Sequence, residues 1–491
     1  MTKLDVNFAA TPEPGLEGAT LVLFVDRSLM LPREAVGLVA LDEADIARAA
    51  CDAGFTGKAG EALTMFIASA TVPRRVVFVG TTPGRGDHEM LAVDLGGAAA
   101  RSAGQAERVV IAAPGAMAAA EIALGFRLRC YAFDKYRTPG DGQARPGRRH
   151  LTILTDDPGA EASHQVELAL AEGVELARDL VNEPGNVLFP EAFADRIAGL
   201  RGPGLEVEIL RAADLERLGF RALLAVGQGS ARDPHVAIMR WNGAPDPAAA
   251  PLAFVGKGVC FDSGGISIKD SEGLHEMKAD MAGAAAVVGL MRTLARRGAR
   301  LNAVGVVGLV ENMPDGKAQH PGDVVKSLSG QHIEVVDTDY EGRLVLADLV
   351  WHVQGTYAPR FIIDLATLTF SVIAGLGRDY AALFTNDDDL AARLGQAGTR
   401  TGELVWRLPL GPGFDRQMDS EIADVRNIDP EPGGGCTAAN FIQRFVNGRS
   451  WAHLDMFGPA QNRPDWPISS TWATGWGVRL LDHVVRRIEQ E

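Results

Sequence analysis

The sequence predicts an α/β protein in parts. A smaller N-terminal α/β domain spans residues 1–163, a linking helix spans 164–182, and a C-terminal α/β domain with a mostly parallel central sheet spans 183–491. Short apolar runs alternate with Ala-rich helical stretches, the rotation that builds sheets covered by helices on both faces. At 491 residues the chain exceeds one ordinary core. Between the two groups of runs stands one long helix-periodic stretch, HQVELALAEGVELARDLV, from about residue 164 to 181.

Taken in order, residues 19–25 (ATLVLFV), 75–80 (RVVFVG), 108–113 (RVVIAA) and 150–155 (HLTILT) read as buried strands of the first domain. TPGDGQARPGRR at 138–149 reads as a surface loop whose Arg145, Arg148 and Arg149 form a local basic patch. The second domain begins with helix PEAFADRIAGL and strand LEVEIL. The strands LAFVGKGVCF, RLNAVGVVGLV, HIEVVDTD, RFIIDLATL and SWAHLDMF follow, with AGAAAVVGLMRTLARRG among the intervening helices. Residues 243–251 and 428–435 read as exposed turns, and no internal repeat is evident.

Forty-eight basic residues against 63 acidic ones give a net charge of −15, which disfavours general affinity for nucleic acid or anionic membrane. The N-terminal MTKLDVNFAATPEPGLEG has no apolar signal core, and no run of about 18 apolar residues follows, so the expected location is the cytoplasm. Cys51, Cys130, Cys260 and Cys436 form no CxxC pair and read as free thiols. Strict alternation along VCFD puts Cys260 on the face of Asp262, yet a packing role is expected of a free cysteine there. The histidines, including His275, His320, His332 and His453, lie outside any HExxH pattern and read as structural or surface groups. Neither a Walker sequence nor GxGxxG is present, so nucleotide binding is not expected.

The segment from Gly256 to Asp348 carries the chemistry. Asp262 follows an apolar run, Asp280 follows EMKA at a helix start, and Asp339 and Glu341 straddle Tyr340 after the strand-like HIEVV. Lys257 and Lys269 lie in the same segment. Single Asp or Gly residues in loops are commonly turn formers and caps. Four carboxylates at the strand ends of one α/β segment instead form a site, because open sheets build ligand sites there. Like charges held together need raised pKa values or a bound divalent cation. Metal held by carboxylates makes water nucleophilic near neutral pH and polarises a carbonyl, so hydrolysis of a carbonyl compound is the natural use. The lysines would balance charge or stabilise a developing oxyanion, and Arg343 can hold an anion through its fork.

Lys257, Asp262, Lys269, Asp280, Asp339, Glu341 and Arg343, with their spacings, resemble the leucyl aminopeptidase (cytosol aminopeptidase) family, whose hallmark is NTDAEGRL where this chain reads DTDYEGRL. The likeness extends to DLVNEPGN at 179–186, ENMPDGKAQHPGD at 311–323, DLATLT at 364–369, DVRNI at 424–428 and WAHLD at 451–455. It implies a catalytic C-terminal domain and removal of N-terminal residues from peptides by two divalent ions, Mn²⁺ or Zn²⁺. In that scheme Asp262 and Glu341 bridge the ions, Asp339 completes the more exchangeable site, and Lys257 with Asp280 completes the tighter one. Lys269 polarises the scissile carbonyl, and Arg343 anchors a bicarbonate acting as general base. The resemblance also implies a homohexamer.

By the same resemblance Met277, Asp337, Tyr340, Thr367, Leu368, Phe370 and Phe457 contact substrate. Asp337, Tyr340, Phe370 and Phe457 depart from the family's usual Asn, Ala, Gly and Ala. Aromatic rings in place of small residues remove the volume of a leucine side chain, so small N-terminal residues such as Ala or Gly are expected to be preferred, unless the rings turn outward. Asp337 is expected to disfavour an acidic second residue. Some family members bind DNA, so a scaffold or moonlighting role is the competing class. The acidic balance argues against it, and retention of all seven site residues argues against an inactive relative.

Overall fold

The computed structural model describes residues 3–11, 18–31, 38–39, 42–67, 75–83, 90–113, 119–138, 147–429, 432–463 and 466–491. The chain forms two compact units, Met1–Ala171 with Pro464–Thr471, and Glu172–Arg463 with Trp472–Glu491.

The first unit holds a six-stranded sheet. Its strands are β1 (Lys3–Ala9), β2 (Thr20–Val25), β3 (Ala62–Phe66), β4 (Arg75–Gly80), β5 (Arg108–Ala112) and β6 (Arg148–Leu154), in the order β1-β6-β5-β2-β4-β3. All pairs are parallel except β3 with β4. The four expected strands are the four central ones. β2 is buried throughout, as a strand covered on both faces must be, whereas β1 and β3 are half-exposed edge strands with a weaker apolar signal. Helices Ala92–Ala103 and Ala119–Cys130 touch backbone to backbone. A Cβ on Gly96 would meet the Ile122 carbonyl, and one on Gly125 would meet that of Val93.

The expected loop at 138–149 is shorter than its composition suggests. Residues 139–146, including Arg145, lie outside the described residues, and Arg148 and Arg149 already belong to β6. Arg148 pairs with Asp5. Arg149 is 6 % exposed, donates to the Ala106 carbonyl at 3.0 Å and stacks 5.0 Å from the Phe126 ring centroid. These two arginines are therefore occupied within the fold and do not form a free basic patch.

The long helix runs from Ala160 to Asn182, four residues earlier at its start than the periodicity suggests. The second unit contains β7 (Leu205–Leu210), β8 (His235–Asn242), β9 (Leu252–Asp262), β10 (Asn302–Asn312), β11 (Asp323–Lys326), β12 (His332–Val335), β13 (Ile362–Ala366), β14 (Ala381–Thr385), β15 (Val405–Arg407), β16 (Val425–Arg426) and β17 (Trp451–Asp455). Eight of them form the sheet β15-β14-β17-β13-β9-β10-β8-β7. Its centre, β17-β13-β9-β10, is parallel, and β8 and β14 flank that centre antiparallel. The expected strand HIEVVDTD is the exception. β12 pairs with β11 and β16 in a separate three-stranded sheet, and its last residues turn away toward the helix Gly342–Tyr357.

Residues 243–251 are mostly exposed, as expected. In 428–435 the turn is only partial: Ile428 and Asp429 are buried, 430–431 lie outside the described residues, and Gly434 opens the helix Gly434–Gln443. Among the described residues no helix is long and apolar enough to cross a membrane.

Candidate metal centre

The site assembles at the C-terminal ends of the parallel strands, beginning with β9. Opposite β10, Val259 pairs with Val310 and Phe261 with Glu311, so Cys260 is an extra residue without a partner in the ladder. This bulge reverses the alternation beyond it. Lys257 and Asp262, five positions apart and opposite in a regular strand, thereby reach one cluster. Cys260 itself is 1 % exposed, its Sγ lies 3.7 Å from the Gly258 carbonyl, and burial pushes its thiol pKa up, which fits the expected packing role.

Beyond Asp262 the chain reverses through Gly264 and Gly265 at φ 88° and 70°, a conformation open to glycine, and returns Lys269 to the strand end. Asp262 Oδ1 accepts the Gly264 N–H at 3.0 Å and the Asn312 amide at 2.8 Å, leaving Oδ2 to meet Lys269 Nζ at 2.8 Å. Asn312, at the end of β10, also donates to the Thr338 carbonyl at 3.0 Å and ties the two acidic loops together.

Asp280 lies between a short 3-10 helix, Leu274–Ala279, and the helix Ala282–Arg297. Its Oδ1 accepts the Thr367 hydroxyl at 2.7 Å and Lys257 Nζ at 2.8 Å. Glu341 is the N-cap residue of Gly342–Tyr357, and its Oε1 lies 2.9 Å from Lys257 Nζ. The glycine of the EGRL motif has a local reason, since a Cβ on Gly342 would lie 2.5 Å from Lys257 Cε. Lys257 Nζ is fixed further by the Thr367 carbonyl at 2.8 Å. Asp339 stands at the rim, its side chain 29 % exposed and paired with Lys269.

Asp262, Asp280 and Glu341 offer ligand oxygens that all lie within 4.8 Å of one another, and each residue is no more than 4 % exposed. Burial, and then the charge of Glu341, pushes the pKa of Asp262 and Asp280 up. Burial and the charge of Asp262 push Asp339 to about 7. Burial would raise Glu341 too, but Lys257 and Lys269 outweigh it and hold its pKa down. Burial would likewise depress both lysines. The carboxylates outweigh that effect, Asp280 first for Lys257 and Asp262 first for Lys269, and hold both ammonium groups above their ordinary pKa. Four carboxylates against two ammonium groups leave a formal charge of −2. Among the described residues, Asp280 Oδ2, Glu341 Oε1 and Asp339 Oδ1 make no hydrogen bond beyond their ion pairs with Lys257 and Lys269. This hard, oxygen-rich, electron-surplus donor set suits divalent metal.

Lys257, Asp262, Lys269, Asp280, Asp339 and Glu341 are thus brought together. Arg343 stands apart, 1 % exposed, with its guanidinium 4.9 Å from the Tyr340 ring centroid and Nη1 donating to the Asn427 carbonyl at 2.6 Å. Burial pushes its pKa down to about 10, and its Nε has no hydrogen-bond partner among the described residues. A cavity of about 630 Å³ opens over the cluster, and Met277, Asp337, Tyr340, Thr367, Leu368, Phe370 and Phe457 all line it. The Phe370 and Phe457 rings meet edge to face at 6.2 Å, with Phe370 73 % exposed, and Asp337 spends one oxygen on the Asp339 N–H at 2.9 Å. Among the described residues no histidine joins the cluster. His453 is buried against Asp364 at 2.6 Å, and His320 and His332 lie near surface aspartates.

Sequence reasoning gave no role to Asn312, Asn427 or Asp455. Asn312 reaches the Asp262 carboxylate 50 positions away, and Asn427 and Asp455 accept backbone N–H groups 91 and 87 positions away, which no local pattern shows. Their only signal is that they lie in ENMPDG, DVRNI and WAHLD.

The catalytic domain of the cytosol aminopeptidase family matches residues 175–482, and that family's N-terminal domain matches 22–140. The chain is 48 % identical over 489 residues to a probable cytosol aminopeptidase of Methylorubrum populi, covering 98 % of each protein. It is 49 % identical over 446 residues to one of Caulobacter vibrioides, covering 90 % of each. Among solved structures it resembles the bottromycin maturation enzyme BotP in complex with Mn, with TM-score 0.84, 35 % identity and coverage of 97 % of this chain and 100 % of that one. It also resembles a tomato leucine aminopeptidase mutant, with TM-score 0.86, 29 % identity and coverage of 99 % and 97 %.

Proposed function

The chain belongs to the cytosol aminopeptidase family and is a metal-dependent aminopeptidase, and from that premise we propose that it uses two divalent ions, Mn²⁺ or Zn²⁺, to remove small N-terminal residues from peptides. The observation that carries this reading is the buried Asp262–Asp280–Glu341 cluster, with its surplus negative charge, at the floor of a cavity with aromatic walls. Asp262 and Glu341 would be shared between the ions, Lys257 and Asp280 would complete one site, and Asp339, the most exposed carboxylate, the more exchangeable other. Bound there, the metal supplies an activated nucleophile at neutral pH and Lewis-acid polarisation of the scissile carbonyl.

This chain's own residues do the rest. Lys257 serves as a ligand only when neutral, and a dication beside it favours that form. Lys269, 23 % exposed at the cavity, is placed to leave its carboxylate partners and donate to the substrate carbonyl as negative charge develops. Arg343, whose Nε has no partner among the described residues, suits a bicarbonate acting as general base. The free amine of the substrate would bind at this same metal centre, whose surplus negative charge disfavours a substrate carboxylate there.

The edge-to-face Phe370 and Phe457 rings support a mouth too narrow for leucine, and Asp337 on the same cavity supports a basic over an acidic second residue. A homohexamer located in the cytoplasm completes the proposal on the strength of the family, and light scattering that gave a monomer at micromolar concentration would sink the hexamer. Metal analysis after gentle purification and remetallation tests the core. Bound divalent ions, with dipeptide hydrolysis lost on chelation, are the expected result, and a wild-type protein that takes up no divalent ion overturns it.

A further inference from the structure

The mouth of the cavity is made by two loops from neighbouring parallel strands. One, Thr367–Phe370, follows β13, and the other, Met456–Gly458, follows β17. Asp455 ends β17, paired in register with Ala366, and it is fully buried. Its Oδ1 accepts the Leu368 N–H at 3.1 Å and the Phe457 N–H at 3.3 Å. Its Oδ2 accepts the Thr369 N–H at 2.9 Å and the Thr369 hydroxyl at 2.6 Å. One carboxylate therefore spans both loops. The second loop also meets the far end of the helix Phe370–Leu376, where a Cβ on Gly458 would collide with the carbonyl of its C-cap residue Gly377.

The Phe370 ring needs such an anchor. It is 73 % exposed, and its recorded aromatic partner is Phe457 across the mouth. A ring so little packed is held by its backbone, and that backbone is held by Asp455 through Thr369. The same loop reaches inward, with Thr367 giving its carbonyl to Lys257 and its hydroxyl to Asp280. The gap between the rings is thus referenced to the metal ligands through a short chain of fixed groups.

We propose that Asp455 is a positioning residue for specificity, a clamp that sets the separation of Phe370 and Phe457 and so decides which N-terminal side chain enters. This deepens the narrowed-pocket reading and rests on it. An Asn at position 455 turns one oxygen into a donor facing N–H groups, so either the Thr369 N–H or the Leu368 and Phe457 N–H pair loses its acceptor and the clamp loosens while the volume stays the same. Thr369 offers a milder probe, because its side chain makes no cap bond of its own helix.

The test compares kcat/KM for alanine-first and leucine-first dipeptides, with metal content measured on every protein. Asp455→Asn is expected to shift the leucine-to-alanine ratio by about tenfold, and Thr369→Val by about threefold, at unchanged metal content, while Thr369→Ser keeps the wild-type ratio. Equal rate losses on both substrates, with the ratio constant, overturn the clamp, as does a Thr369→Ser ratio that matches Thr369→Val. If Asp455→Asn does not fold, the Thr369 pair decides alone. A wild-type ratio near one would overturn the narrowed pocket, whereas a ratio that still moves in the variants would uphold the clamp.

Discussion

Two sets of carboxylates are equally buried in the second unit and have opposite surroundings. Asp348, Asp455 and Glu403 are each fully buried and face backbone N–H groups. Asp348 accepts from Leu223 at 3.0 Å and Leu328 at 2.7 Å, and Glu403 from Gly477 at 3.0 Å and Leu480 at 2.8 Å. Asp262, Asp280 and Glu341 instead face one another and two lysines. Fixed peptide dipoles offset part of the burial cost of the first set, and those dipoles cannot be exchanged. Ammonium groups on flexible stems compensate the second only in part, and a cation can take their place. Burial of a carboxylate therefore says little about function by itself, and the donors around it separate structure from site.

The largest effect expected from this contrast is a crossed pair of substitutions. Asp280→Ala should remove the tighter metal and lower kcat/KM by on the order of 10²–10³-fold, with little loss of fold, because it relieves like-charge repulsion. Asp348→Ala strands two buried N–H donors and should lower stability by about 3 kcal/mol while leaving metal content intact. Metal analysis and denaturant unfolding on both proteins check this. Loss of metal in the Asp348 variant, or its retention in the Asp280 variant, would erase the distinction.

Dependence on pH sharpens the same contrast. Burial pushes Asp348 to about 7, despite the N–H groups that oppose it. A carboxyl group whose pKa is raised on folding binds its proton more tightly in the native state, so native stability falls as pH rises from the unfolded value near 4 to about 7. The contribution is present in full below that window. Unfolding measured between pH 5 and 8 should show a slope that Asp348→Asn flattens by a few kcal/mol. A variant with the wild-type slope would assign the pH dependence to other groups.

The acidic cluster was legible in the sequence because its members sit at strand ends and in the DTDYEGRL motif, where residue type and position agree. Its assembly was not. Regular alternation separates Lys257 from Asp262, and only the bulge at Cys260 reconciles them, a backbone event that leaves no residue signature in VGKGVCFD. The central strands β9, β10, β13 and β17 were legible from apolar runs. β12 was legible as a strand but not as a member of a second sheet, since four residues that alternate between exposed and buried fit either edge. Asn312 and Asp455 escaped because their partners are brought close only by the folded sheet.

The exposure of Phe370 was equally hidden, and it sets the smallest expected effect. A ring packed inside the pocket would make Phe370→Gly both destabilising and strongly permissive for leucine. A ring that is 73 % exposed loses little buried area on removal, so stability should change by no more than about 1 kcal/mol, mostly from glycine in the first turn of the helix Phe370–Leu376. Leucine-first turnover should rise by about tenfold relative to alanine-first, the low end of what a pocket contact contributes, because Phe457 remains as the opposite wall. Phe457→Ala should give the larger gain, since Phe457 is the more buried ring of the pair. If Phe370→Gly raises leucine turnover more than Phe457→Ala does, the exposed ring closes over the substrate on binding and the mouth is narrower in use than at rest. If neither substitution moves the ratio, the departures at these two positions do not set specificity, and Met277 and Thr367, which also line the cavity, become the place to look.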